Sequence, residues 1–239
     1  MAAVALFDPC YMAAIRPKDA GQARHVLEAL GDTVTLIDGR CCGQPAYNSG
    51  FRPEAKMAGR ELLRAARDHD TVVTLSGSCA AMARHYLPDL FPAHRGDAAR
   101  TIGQRFREFG DYVASHPALP TLGLRLPGVV AYHDACHARR ELGVSAAVLG
   151  LLARIEGLEV RRLRYEEECC GFGGTFSVKL PEVSSAMLRD KLNDIRDTGA
   201  RVLVSTDLSC LAHLESGARG TGMPLEAWTL PELLARALE

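Results

Sequence analysis

Residues 41–54 read CCGQPAYNSGFRPE, and residues 169–182 read CCGFGGTFSVKLPE. Each stretch opens with an adjacent cysteine pair and a glycine, and eleven positions after the pair comes Pro-Glu, at Pro53-Glu54 and at Pro181-Glu182. Proline fits the first helical position because its φ is already set, and glutamate there meets the positive end of the helix. Both stretches therefore predict a loop that enters a helix at the same place. Apolar residues at helical spacing follow, Ala55, Ala58, Leu62 and Ala66 in one and Leu188, Leu192 and Ile195 in the other. Two such units in one chain predict an internal duplication.

The remaining cysteines keep the same register. Cys10, Cys41, Cys42 and Cys79 recur as Cys136, Cys169, Cys170 and Cys210, shifted by 126, 128, 128 and 131 positions, and Asp8 and Asp134 each stand two before the first cysteine of a set. Around them the pattern predicts strands at Val4–Phe7, Thr33–Ile37 and Thr71–Leu75, helices at Pro17–Leu30 and from Pro53, and a helix carrying Cys79. The second half repeats this with strands at Val129–Tyr132, Val160–Leu163 and Arg201–Ser205, helices at Val144–Ile155 and from Pro181, and a short helix at Cys210. An added helix is expected near Asp97–Ala114, and a linker at Ser115–Pro127, with its three prolines. Alternating strands and helices imply α/β architecture: two homologous halves, residues 1–120 and 121–239, each a parallel sheet covered by helices, related by a pseudo-twofold axis.

The 239 residues are 47% hydrophobic and 24% charged, enough to bury one large core or two, each of about half the chain. Lys plus Arg number 28 against 29 Asp plus Glu, with no long run of one sign, which argues against nucleic acid or an anionic membrane as a main partner. The first ten residues lack a basic and then long apolar segment and read as a strand, not as a signal peptide. Val144–Ile155 is too short to span a bilayer and is broken by Ser145, Gly150 and Arg154. The expectation is a cytoplasmic protein, in which eight cysteines point to metal, cluster or redox chemistry more than to structural disulfides.

In an open parallel sheet ligands bind beyond the carboxyl ends of the strands, and each cysteine or pair follows a strand of its half. Four thiolates per half match the demand of a 4Fe-4S cluster, and a glycine after each pair permits a tight turn whose amides point at sulfur. Zinc is the alternative metal, but its structural sites usually show C-x2-C pairs, which this chain lacks. A metal-free dithiol needs only two cysteines. His133 and His137 flank Cys136 and are further candidate ligands, against the plainer reading of hydrogen-bonded neighbours. Gly171–Phe176 begins like a dinucleotide loop but ends in Phe176 where the last glycine belongs. The run Glu166-Glu167-Glu168 either tunes a cluster by its charge or forms a solvated face.

The segments Phe7–Tyr11 (FDPCY), Cys41–Gly50 (CCGQPAYNSG), Ser76–Met82 (SGSCAAM), His133–Gly143 (HDACHARRELG) and Cys169–Lys179 (CCGFGGTFSVK) resemble the cysteine-rich (CCG) domain proteins. That family includes the B subunit of heterodisulfide reductase and iron-sulfur subunits of glycolate and glycerol-3-phosphate oxidising enzymes. The resemblance spans nearly the whole chain and is strongest to members that serve L-lactate oxidation. It implies cluster ligation by Cys10, Cys41, Cys42 and Cys79, and by Cys136, Cys169, Cys170 and Cys210. In the broader family each half ends in C-x-x-C; here Ser76 and Asp207 stand at the first of those positions, which favours an ordinary cluster, or one with an oxygen ligand. The resemblance further implies a cytoplasmic three-protein assembly that oxidises L-lactate to pyruvate, in which this chain transfers electrons; with no complete dinucleotide loop or flavin site for the two-electron step, the chain is expected not to be active alone. The rival readings are a redox-sensing or metal-binding module, and the same electron carrier for another 2-hydroxy acid such as glycolate.

Overall fold

The computed structural model describes residues 2–38 and 41–238; Met1 and Glu239, the outer ends of the two halves read from the sequence, lie outside them. In the first half β1 (Ala3–Phe7), β2 (Thr33–Ile37), β3 (Val72–Thr74) and β4 (Phe106–Glu108) form one sheet in the order β2-β1-β3-β4. In the second, β5 (Arg125–His133), β6 (Glu156–Arg162), β7 (Val202–Ser205) and β8 (Glu226–Thr229) form another in the order β6-β5-β7-β8. Every neighbouring pair is parallel. Both sheets thus repeat one winding, and both reverse direction of travel between their first and third strands, where crevices form in doubly wound sheets.

The helices of the first half are α1 (Cys10–Ile15), α2 (Asp19–Ala29), α3 (Gln44–Asn48), α4 (Arg52–Ala66), α5 (Gly77–Ala81), α6 (Ala93–Gly103) and α7 (Phe109–Ala114). Those of the second are α8 (Ser145–Leu152), α9 (Phe176–Lys179), α10 (Pro181–Asp197), α11 (Leu208–Gly220) and α12 (Leu230–Ala237), with a π-helical turn at Ala138–Leu142 after Cys136. The Pro-Glu helices are α4 and α10, each with proline in its first turn and an acidic residue beside it. α4 buries Ala55, Gly59, Leu62, Leu63 and Ala66 along one stripe. A fully buried leucine such as Leu62 contributes about 1.5–3 kcal/mol, so the stripe, more than intrinsic propensity, holds the helix down.

Three expectations are corrected. The helix expected at Asp97–Ala114 is α6, then β4, then α7: Phe106 and Glu108 are buried with Arg107 partly exposed between them, and pairing with β3 imposes the strand. The matching fourth strand, β8, was also not expected. The linker at Ser115–Pro127 is partly ordered, with a 3-10 turn at Leu119–Thr121 and β5 starting at Arg125; Pro127 is tolerated inside a central strand because the register shifts between Arg125 and Gly128.

The halves are joined by reciprocal contacts. α7 packs on α8, and α12 packs on α2, so each half's last helix covers the other half's first crossover helix. Likewise α5 meets the turn after Cys136, and α11 meets α1. Contacts that exchange equivalent elements in this way are those a twofold relation produces. One large core accordingly mixes both halves, with Leu6, Leu27, Val73 and Phe109 beside Tyr132, Leu152, Leu211 and Leu234. A smaller core, around Phe7, Leu62, Met82 and Phe106, belongs to the first half alone.

Candidate metal centre

All eight cysteines are free thiols, and all eight line one cavity of about 360 Å³. β1 delivers Cys10 to the start of α1, and β3 delivers Cys79 to the first turn of α5; Cys41-Cys42 lies between β2 and α3. The second half delivers Cys136, Cys169-Cys170 and Cys210 from the same ends of β5, β6 and β7. Every cysteine expected to act is brought to this cavity, with Cys42, Cys79, Cys170 and Cys210 buried and Cys10 exposed.

The glycine after each pair is structurally required. Gly43 has φ +87° and Gly171 φ +90°, and a Cβ on either would stand 2.7 Å from a helix carbonyl, that of Ala55 or of Ser184. This close seat on the Pro-Glu helix turns each amide toward sulfur: Gly43 N–H points to Cys41 Sγ and Gly171 N–H to Cys169 Sγ, both at 3.4 Å. Thiols of Cys10 and Cys42 converge on Cys41, and those of Cys136 and Cys170 on Cys169. These hydrogen bonds hold Cys41 and Cys169 well below the ordinary thiol range, while their neighbours Cys10, Cys42, Cys136 and Cys170 are pushed up. The same residue in each quartet thus receives its neighbours' thiol hydrogen bonds, an arrangement that favours its thiolate form. A dense set of soft sulfur donors, free of disulfides and backed by amides, fits a metal or a polynuclear cluster.

The histidines fall in different places. His137 Nδ1 lies 3.6 Å from Cys136 Sγ, and its Nε2 lies 3.2 Å from the amide nitrogen of Gln44 in the other half. His133 is the last residue of β5, and its ring, with Cys170 and Cys210, forms a group whose donor atoms lie within 4.8 Å of one another. It is 1% exposed, and neither ring nitrogen has a hydrogen-bond partner among the described residues. Burial, reinforced by Lys191, pushes its ring down to about 4. The flanking motif HDACH hinted at His133, and Gln44 stands in the CCGQPAYNSG segment without a role assigned to it, but nothing in the sequence marked Lys191.

Ser76 and Asp207 occupy equivalent positions and bind each other: Ser76 Oγ donates to Asp207 Oδ2 at 3.0 Å, and Ser78 N–H donates to the same oxygen at 3.2 Å. Asp207 also caps α11 by accepting from Ser209 N–H. The acidic run is tied to arginines, Glu166 to Arg139 and Arg162, and Glu167 to Arg139. Of the segment Gly171–Phe176, the residues Phe172, Gly173, Gly174 and Thr175 line the cavity, with Phe172 against Tyr11 at 6.0 Å between ring centroids, and Phe176 starts α9.

Duplicated parallel sheets that present two cysteine quartets to one cavity define a cysteine-rich metal- or cluster-binding class. The family model described as the cysteine-rich domain, CCG, matches residues 4–84 and again 130–215, and the chain belongs to this family. It is 33% identical over 241 residues to lactate utilization protein A 1 of Bacillus anthracis, covering 98% of each chain. It is 36% identical over 242 residues to lactate utilization protein A of Macrococcus caseolyticus, covering 99% of this chain and 97% of that one. Among solved structures, a hypothetical protein from Helicobacter pylori superposes with a TM-score of 0.65 at 12% identity over 99% of this chain, which spans about half (49%) of that protein's length. That likeness shows the fold.

Proposed function

We propose that this protein is the iron-sulfur electron-transfer component of a cytoplasmic L-lactate-oxidising complex, with one 4Fe-4S cluster in each half. The observation that carries the reading is the pair of free-cysteine quartets facing one cavity, in a chain similar over its full length to lactate utilization protein A. Cys10, Cys41, Cys42 and Cys79 would hold the first cluster, and Cys136, Cys169, Cys170 and Cys210 the second. When bound, such clusters accept and release electrons singly. The chain's own part is to bury Cys42, Cys79, Cys170 and Cys210, aim the Gly43 and Gly171 amides at sulfur, and bring both quartets to a shared space. Among the described residues no helix is long and apolar enough to cross a membrane. Tyr11 and Val178 line the cavity yet stay exposed, Val178 at 79%, and give its rim an apolar surface for the other subunits.

Removing two electrons and two protons from lactate to give pyruvate normally engages a flavin or nicotinamide that takes both electrons. The partner proteins therefore supply the two-electron step or the route to the acceptor. The test is iron and acid-labile sulfide content after anaerobic purification, followed by pyruvate formation with the chain alone and with its partners. Cys42→Ala, Cys79→Ala, Cys170→Ala and Cys210→Ala are each expected to lower iron by about half, one cluster's share, and to leave the other quartet loaded. Full iron in all four variants, or zinc without sulfide, overturns the cluster assignment. Lactate turnover by the isolated chain overturns the carrier role; glycolate turnover in place of lactate by the mixture changes the substrate.

A further inference from the structure

The two quartets share their cysteines, glycines and strand ends, but the residues behind the sulfurs differ. Where the second half has His133, the first has Phe7, wholly buried and edge-on to Phe106 at 6.5 Å. Where the second half has Lys191, the first has Leu63. Both replacements are polar and buried, His133 at 1% exposure and Lys191 at 0%. A polar group sealed from water costs stability unless it is paired. Lys191 donates to the Tyr165 carbonyl and lies 3.9 Å from Asp194. Among the described residues His133 has no such partner: in either protonation state its ring carries at least one N–H, both ring nitrogens are orphaned, and one lies within 4.8 Å of the Cys170 and Cys210 sulfurs.

We propose that His133 donates a hydrogen bond to the sulfur of the second centre, and that this donor, absent from the first, makes the second centre the more easily reduced of the two. The inference rests on the iron-sulfur reading above. A donor aimed at sulfur stabilises the extra electron of the reduced state, and hydrogen bonds to sulfur are among the terms that set cluster potentials. Cys136, Cys169, Cys170 and Cys210 already complete a four-thiolate set, so the ring acts on it as a donor and a positioning residue. The Lys191 charge, close to Cys169 and Cys170, acts in the same direction. Asp207 acts in the opposite one, but its carboxylate already accepts from Ser76, Ser78 and Ser209. The charge that reaches sulfur from it is correspondingly spread.

The experiment is a redox titration, followed by electron paramagnetic resonance, of anaerobically loaded full-length protein whose iron and sulfide have first been measured. Cys170→Ala leaves the first quartet to be read alone, and Cys42→Ala leaves the second. The second is expected to be reduced at the higher potential, a comparison that keeps His133 intact and does not depend on whether its variants fold. In the Cys42→Ala background, His133→Phe is expected to lower the reduced-to-oxidised ratio at the original midpoint at least tenfold, about 59 mV for a one-electron couple. His133→Gln, which keeps an N–H donor, is expected to restore most of it. Equal potentials for the two centres in fully loaded protein, or no change on His133→Phe, overturn this inference alone. Missing iron and sulfide overturn it together with the cluster reading.

Discussion

Glu108 shows how one side chain can make stability depend on pH. It ends β4, caps α7 by accepting from Asp111 N–H at 3.0 Å, and is 2% exposed. Burial pushes its carboxyl from 4.5 up to about 7, against the pull of the Gly110 and Asp111 amides. Between those values the unfolded chain has released the proton and the native one still holds it. Stability therefore falls as pH rises through that window, and the effect is absent below it. Glu108→Gln keeps the cap and removes the titration. Urea unfolding of the two proteins at a series of pH values should show the wild type losing about 3 kcal/mol relative to the variant between pH 4.5 and 7; parallel curves would exclude Glu108 as the source. Little of this was legible beforehand, because nothing in the sequence says that an acidic residue near a helix start will be sealed by the other half. The cysteines were legible for the opposite reason: their duplicated spacing fixes which strand end each one follows. His133 lay between these cases, since its position at the end of a strand was visible but its burial beside Cys170 and Cys210 was not.

At the scale of elements, the starts of α5 and α11 meet across the seam between halves. Gly77 N–H donates to the Thr206 carbonyl at 3.3 Å, and the Asp207 carboxylate gathers Ser76, Ser78 and Ser209. Ser and Asp suit helix caps, and the sequence could be read that far. Only Asp207 behaves so; Ser76 makes no capping bond and reaches for Asp207 instead. Asp207→Ala would remove a cap, a loss of about 1 kcal/mol, and leave buried donors unpaired, a further loss of about 1–3 kcal/mol. The expected result is a clear fall in unfolding free energy with iron content unchanged, and Ser76→Ala should show a smaller fall. Loss of one cluster's iron with stability unchanged would instead identify Asp207 as an oxygen ligand. The elements missed by sequence reading, β4 and β8, are three and four residues long. Strands so short carry too few residues to show a period, and tertiary pairing decides them.

For the whole molecule, the duplication suggests two bodies, but packing makes them one. Alternating strands and helices, together with the matched cysteine register, were enough to give both sheets. The exchange of α7 and α12 was not foreseeable, because those segments carry no cysteine motif and their partners lie in the other half. Since the main core draws on both halves, either half alone would expose the faces of α2 or α8 that the other half's last helix covers. Unfolding should therefore be a single cooperative transition. The protein's one tryptophan, Trp228, makes this testable: it sits in β8, with Nε1 donating to Glu226 at 2.6 Å and the Arg236 guanidinium 4.5 Å from the ring centroid. Its fluorescence reports on the second half alone, whereas far-ultraviolet circular dichroism reports on both. In urea the two signals should change with the same midpoint and slope, the signature of two-state behaviour. A tryptophan transition separated from a second circular-dichroism step would mean that the halves unfold independently and that the shared core contributes little to holding the two quartets face to face.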